Sequence, residues 1–564
     1  VPPPVPPPGP PAPPAARAVA PRVFWPSAVV TLAAAVLAIL TPATAGEVLG
    51  AVQGAIVRGF SWYYVLVVAF FVGLSLWFGL GRHGDLRLGR DDDEPEFSTR
   101  SWFALLFAAG MGIGLVFYGV SEPLSHFASP RPGVTGTPGQ LAQQALSQTY
   151  LHWGLHAWAI YVVVGLALAY AIHRRGRPVS IRWALEPLLG RRVRGAWGDV
   201  VDVVALVGTL FGVATSLGLG VLQIGSGLGS IGLVEPSTGL QVLLIALITL
   251  GVLASVLSGV GRGMKWLSNA NLALAGLLLV LVLVLGPTLF LLRELVQGIG
   301  AYLQGFIGLS FHVTALQGRA GEEWQGAWTT FYWGWWMSWA PFVGIFIARI
   351  SRGRTVRQFV TGVLAVPTLV TFVWFAVLGG TALHREVFGS GGLVADDGSV
   401  DLEGALFAVL QDLPGGTLAV VGALVLIAVF FITSSDSGAL VMAMIASGGQ
   451  LEPRRWVRVF FVLVSALLAV ALLLSGGLTA LQTAAIIIAL PFSVVMLAMA
   501  AATVRAFGRE ARAYERARRA ALVDHIGEYY GLEVERTDVE DPPAGRPSRW
   551  GRRRGRTARP GPPA

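Results

Sequence analysis

The apolar positions of this 564-residue chain fall in long runs, most of them about 20 residues or more, separated by shorter polar segments. Runs of that length suit a helix crossing a bilayer. Twelve are predicted, at 24–44, 61–81, 101–120, 141–173, 199–231, 239–258, 269–292, 324–348, 360–381, 417–446, 455–475 and 478–505. Lipid cannot satisfy exposed backbone N–H and C=O groups, so the runs must be helices, and the fold class is all-α, a polytopic membrane protein. Two segments between them, 46–60 and 295–311, mix apolar and polar residues at helical spacing. Each can lie flat at the interface or serve as a connecting loop.

Hydrophobic residues make up 54% of the chain and charged ones 13%, a balance that excludes a soluble enzyme of this size. The net charge of +9 is a topology signal before it is anything else, and it gives no reason to expect nucleic acid. Basic residues crowd the loops after the even-numbered runs, among them Arg82, Arg87, Arg174, Arg175, Arg191, Arg262, Arg352 and Arg454, while the opposite loops hold few. Positive-inside bias therefore places both termini in the cytoplasm of a multi-pass plasma-membrane protein. The absence of cysteine rules out disulfides and thiolate chemistry. Residues 1–23 read as a Pro-rich disordered tail, and 506–564 as a basic cytoplasmic helix followed by a disordered tail. That helix can stay solvated or lie on anionic lipid headgroups.

The eighth run carries Trp333, Trp335, Trp336 and Trp339, which at about 3.6 residues per turn point around the helix. Trp339 lies far from both Glu323 and Arg349, too deep for an aromatic belt at the headgroups. Gly334, Pro341 and Gly344 predict that this helix is broken. In the third run Gly110, Gly112 and Gly114 form GMGIG, which can unwind the helix or let a neighbour pack closely. The two interrupted runs are five helices apart, the spacing of inverted five-helix repeats with a solute site at the membrane midplane. Trp153, Trp158 and Tyr161 of the fourth run span about 140° of arc, so they can wall a pocket or pack in the core. Aromatic faces hold a quaternary ammonium without a carboxylate, and acids are nearly absent from the apolar runs: Glu122 sits at the end of the third, Asp202 near the start of the fifth and Asp436 inside the tenth. Thr433, Ser434, Ser435 and Ser437 flank Asp436, and their hydroxyls can bond back to their own helix or ligate a sodium ion. Glu122, His126, His152 and His156 form no recognisable metal-ligand spacing; His152 and His156 are four residues apart but with no acid in that turn, so no zinc site is expected. No nucleophile–base motif or P-loop appears, which excludes the common enzyme classes.

GMGIG, the Trp-rich run and TSSDSG at 433–438 together closely resemble the signatures of the betaine/choline/carnitine transporter family, over roughly 24–507. The resemblance implies a leucine-transporter-like fold with two extra N-terminal helices at 24–100, a first inverted repeat at 101–293, an interfacial helix and loop at 294–323, a second repeat at 324–505, and a homotrimer. It implies a substrate cage of Trp153, Trp158, Tyr161 and Trp336, with Met111, Gly112 and Gly114 alongside. The implied permeation path has Phe331 and Trp333 outside the cage and Trp335, Trp339 and Phe346 inside it. A sodium site is implied at the carbonyls of Ala108 and Met111 and the hydroxyls of Thr433 and Ser434. A second is implied at Thr209 and Ser216, with Val213 where a hydroxyl is expected. Family members that import choline with protons tend to carry an acid where Gly114 stands, which favours sodium-coupled import of glycine betaine or a related quaternary-ammonium osmolyte, with no cofactor beyond the coupling ion. The alternatives are choline or carnitine transport by proton coupling or exchange and, from another class, an ion channel or membrane sensor.

Overall fold

In the computed structural model, which describes residues 19–110, 112–258 and 263–530, helices occupy nearly every position and no β-strand occurs among the described residues. The order is α1 Pro21–Leu40, α2 Pro42–Leu80, α3 Thr99–Gly110, α4 Ile113–Ala128, α5 Pro138–Trp153, α6 Leu155–Ala169, the short α7 Glu186–Leu189, α8 Ala196–Ser230, α9 Thr238–Ser258 and α10 Gly263–Leu285. It continues with α11 Thr288–Ser310, α12 Gly318–Gln325, α13 Phe331–Arg349, α14 Val356–Phe388, α15 Ala405–Gln411, α16 Gly416–Ala446 and α17 Arg455–Tyr530. Nine helical stretches among the described residues are long and apolar enough to cross a membrane. The chain is an all-helical, polytopic membrane protein. It divides into two units, Val1–Phe507 and Gly508–Ala564, and residues 508–530 of the second are helical.

Burial follows sequence pattern. Apolar all round, α6 is buried from His156 to Ala169, and α13 packs on it more extensively than on any other helix. At the periphery, Thr238–Ser258 and Leu267–Leu285 are 28% and 22% buried, which leaves their apolar faces for lipid. Local starts are legible too: Thr137 and Thr355 form capping boxes with Gln140 and Gln358 at the heads of α5 and α14. Arg182 pairs with Asp202 at 2.5 Å and Asp199 at 2.8 Å, tying the loop before α7 to α8 and satisfying a buried carboxylate.

Several expectations change. Residues 46–60 are neither a loop nor a separate helix: α2 runs through them without a break. Segment 295–311 is helical and starts earlier, at Thr288. The eighth run is continuous through Pro341, not broken. Its glycines serve close approach instead: a Cβ at Gly344 would lie 2.5 Å from Val164 Cγ1 of α6, and one at Gly334 2.9 Å from the Ile486 Cα. The third run does break. α3 ends at Gly110 and α4 begins at Ile113, with Gly112 extended between them. The fourth run, expected to be one helix, breaks at Gly154 and ends in a π-helical turn, Tyr170–Arg174. Runs eleven and twelve form one stretch, kinked where Gly476 and Gly477 leave helical angles. The tails 1–18 and 531–564 lie outside the described residues.

Candidate functional site

The two helix breaks open onto one cavity. At Gly154 the last carbonyls of α5 lose their partners in the next turn, and side chains from two other helices supply them. The Trp336 indole N–H donates to the His152 carbonyl at 2.8 Å, and the Thr371 hydroxyl donates to the Trp153 carbonyl at 3.2 Å. These bonds anchor Trp336 of α13 against Trp153, with ring centroids 4.8 Å apart and planes at 74°. Trp158 and Tyr161 meet edge to face at 5.4 Å, and Tyr161 lies 6.3 Å from Trp336. All four aromatics line a cavity of about 140 Å³. No Asp, Glu, Lys, Arg or His side chain lines it among the described residues.

The broken third run forms a further part of the wall, where Gly112, Ile113, Gly114 and Leu115 line the cavity at the start of α4. The first N–H groups of a helix have no intrahelical acceptor and carry a partial positive charge, so this wall offers hydrogen bonds to an anionic group. Gly114 is required by space. A Cβ there would lie 2.2 Å from Cη2 of Trp335, which is itself stacked at 4.9 Å and 13° on Trp336.

The other expected residues are distributed unevenly. Trp335, Trp339 and Phe346 line the cavity. Phe331 and Trp333 do not: Phe331 stacks on Trp335 at 5.5 Å, and Trp333 stacks on His156 at 5.6 Å, both buried. Thr433 and Ser434 line the cavity, and Thr433 Oγ1 donates back to its own helix at Val429 and Phe430 while accepting the Asn271 amide at 2.7 Å. Ala108 lies in the last turn of α3, and Met111 lies outside the described residues. Thr209 and Ser216 are not brought together: two turns of α8, about 10 Å, separate them, too far to ligate one ion. Thr209 bonds back to Ala205, and Ser216 receives the indoles of Trp335 and Trp339 at 3.3 and 3.1 Å.

Two acids gain partners that sequence reasoning missed. Asp436 is held by Arg458 at 2.6 Å and by Ser255 at 2.6 Å, so this membrane-depth carboxylate joins α16, α17 and α9 in a buried ion pair. Glu122 is fully buried and faces four donor groups. Its Oε1 lies 2.7 Å from His152 Nδ1 and 3.3 Å from His126 Nε2, and its Oε2 accepts the Trp153 indole at 2.6 Å and the Tyr332 hydroxyl at 2.5 Å. A carboxylate, acceptor-only on both oxygens, matches that set. The acid absent from the turn of His152 is thus supplied by α4, and the Glu122, His126 and His152 ligand atoms lie within 4.8 Å of one another. His156 turns away, to Ser310 at 2.8 Å. The signal available in the sequence was Glu122 with His126, four residues apart just past the end of the third apolar run.

The family model described as BCCT, betaine/carnitine/choline family transporter, matches residues 22–512. An uncharacterized transporter of Mycobacterium tuberculosis (strain ATCC 25618 / H37Rv) is 50% identical over 497 residues, covering 87% of this chain and 83% of the relative. Glycine betaine transporter OpuD of Bacillus subtilis (strain 168) is 44% identical over 496 residues, covering 88% and 96%. Glycine betaine transporter 1 of Vibrio parahaemolyticus is 44% identical over 467 residues, covering 82% and 88%. With a family match across all the predicted spans and relatives aligned over most of their length, this chain belongs to the betaine/carnitine/choline transporter family.

Proposed function

We propose that this chain is a sodium-coupled importer of glycine betaine that works by alternating access. The observation that carries the reading is a cavity rich in aromatic side chains, the four of the cage among them, free of charged side chains among its described lining, with a helix N-terminus in its wall. A trimethylammonium group has a permanent charge and no N–H to donate, so π faces suit it better than hydrogen-bond acceptors. The carboxylate of the same solute is served by the N–H groups at Gly112 to Gly114. A cavity built this way binds and orients a zwitterion and has no acid–base pair to transform it. The coupling ion is assigned to the hydroxyls of Thr433 and Ser434, which line the cavity, with the carbonyls of Ala108 and Met111 completing the ligand set that the family resemblance implies, because hard oxygen ligands suit sodium.

The same reading has twelve spans in two inverted five-helix repeats, at 101–293 and 324–505. The nine long apolar stretches become twelve when the broken third run and the Trp-rich α13 are added and α17 is divided at its glycine kink. Both termini are cytoplasmic, the functional unit is a homotrimer, and the basic helix after Gly508 senses osmotic stress through anionic lipid. The cavity extends along α13 to Phe346, toward its basic end, while Phe331 and Tyr332 are buried at the other, an arrangement that suits an inward-facing state. Uptake of radiolabelled glycine betaine into proteoliposomes, with and without sodium and with choline, carnitine, ectoine and proline as competitors, tests it. Uptake indifferent to sodium, or competed best by choline, would refute the coupling or the substrate.

A further inference from the structure

A second cavity, of about 430 Å³, lies between the loop after α4, the first half of α5 and the far half of α11. We propose that it is an entry site that binds the carboxylate of the solute before the solute reaches the aromatic cage. Its one cation among the described lining is Arg131. No carboxylate pairs with this guanidinium among the described residues, and its Nε is buried without a hydrogen-bond partner. Burial lowers its pKa from the usual guanidinium value, as expected of a cation held without a counter-ion. An anion supplies what the arginine lacks, and a carboxylate fits its planar fork of donors.

The remaining lining suits a polar solute. Gln143, Gln144 and Gln304 present side-chain amides, which can donate to a carboxylate and accept from bound water. His126 is 2% exposed and lines the cavity, and its Nδ1 has no partner. Its Nε2 faces the acceptor-only Glu122, so Nδ1 is the lone-pair side, open to a water. Two lining residues also belong to the network behind the cage. His126 touches Glu122 directly, and Gln148 meets His152 Nε2 at 3.1 Å, while Glu122 holds the Trp153 indole. The entry site and the cage therefore share one chain of hydrogen bonds.

This inference rests on a zwitterionic substrate, and its test reads the carboxylate separately from the ammonium group. The full chain, R131Q and R131K are compared for glycine betaine uptake in proteoliposomes with acetate or chloride as the probe anion, and for choline binding by tryptophan fluorescence. Losing one charge-assisted site should raise the half-saturating betaine concentration about fivefold or more in R131Q. It should also abolish competition by acetate and leave choline affinity unchanged, with R131K intermediate. Unaltered betaine affinity and acetate competition in R131Q would overturn the proposal. So would chloride competing as well as acetate, or choline and betaine affinities falling together. Should the unaltered protein not take up betaine, the transport reading fails, yet an acetate-induced fluorescence change lost in R131Q still decides the entry site.

Discussion

Glu122→Gln leaves the shape of the side chain almost unchanged and removes its ability to accept on both sides. In the native protein each carboxylate oxygen serves two donors, His126 and His152 at Oε1 and Trp153 and Tyr332 at Oε2. An amide has one oxygen and one NH₂ group. If the NH₂ faces Trp153 and Tyr332, the indole that forms one wall of the cage meets another donor and loses its anchor. In the other orientation both histidines accept from the NH₂ only by changing tautomer, and all four bonds lose the carboxylate's charge. Hydrogen bonds to a charged group contribute about 1.5–3 kcal/mol each, so losing a pair at a fully buried site costs about 3 kcal/mol or more. Part of that loss should appear as stability and part as betaine affinity, because Trp153 belongs to both the network and the cage. Thermal unfolding in detergent and calorimetric titration with glycine betaine measure the two. A variant with native melting temperature and native affinity would refute the network as an organiser of the cage.

Other perturbations test neighbouring parts. Gly114→Ala should weaken betaine binding about fivefold or more, since overpacking of this kind costs about 1–3 kcal/mol and drives Trp335 toward Trp336; binding calorimetry against the melting temperature separates this from misfolding. Thr433→Ala with Ser434→Ala should raise the sodium concentration for half-maximal uptake far more than the betaine concentration at saturating sodium, and unchanged sodium activation would place the ion elsewhere. Truncation after Gly508 should flatten the response of uptake to external osmolality while basal transport persists; an identical activation curve would refute a sensing role for the basic helix.

Much of the architecture was legible because membrane helices must announce themselves as apolar runs, and the break at GMGIG is one of the two outcomes its three glycines left open. Local signals misled where packing overrode them. The mixed apolar and polar segment 46–60 read as an interfacial helix or a connecting loop, yet α2 runs straight through it, its four glycines included. Pro341, Gly334 and Gly344 read as a break, yet the glycines admit α6 and α17 to close range and the helix continues. Conversely, Gly154 broke a run that contains no proline and only two glycines. The cage aromatics could be nominated one helix at a time, but Glu122 gathers His152 and Trp153 from α5 and Tyr332 from α13, pairings up to 210 positions apart. Asn271 on Thr433 and Arg458 on Asp436 are likewise contacts between helices, invisible to periodicity within one.

The central claim is that aromatic faces recognise the positive charge of the ammonium group, and not merely its size. Glycine betaine can be compared with the anion of tert-butylacetic acid, in which a quaternary carbon replaces the quaternary nitrogen at nearly the same shape. Calorimetry on the purified protein at saturating sodium should give betaine the tighter binding by about thirty-fold, the equivalent of about 2 kcal/mol for a desolvated cation–π contact. In Trp336→Leu that preference should shrink toward the contribution of the three remaining rings. Equal affinity for the two solutes in the unaltered protein would contradict the cage.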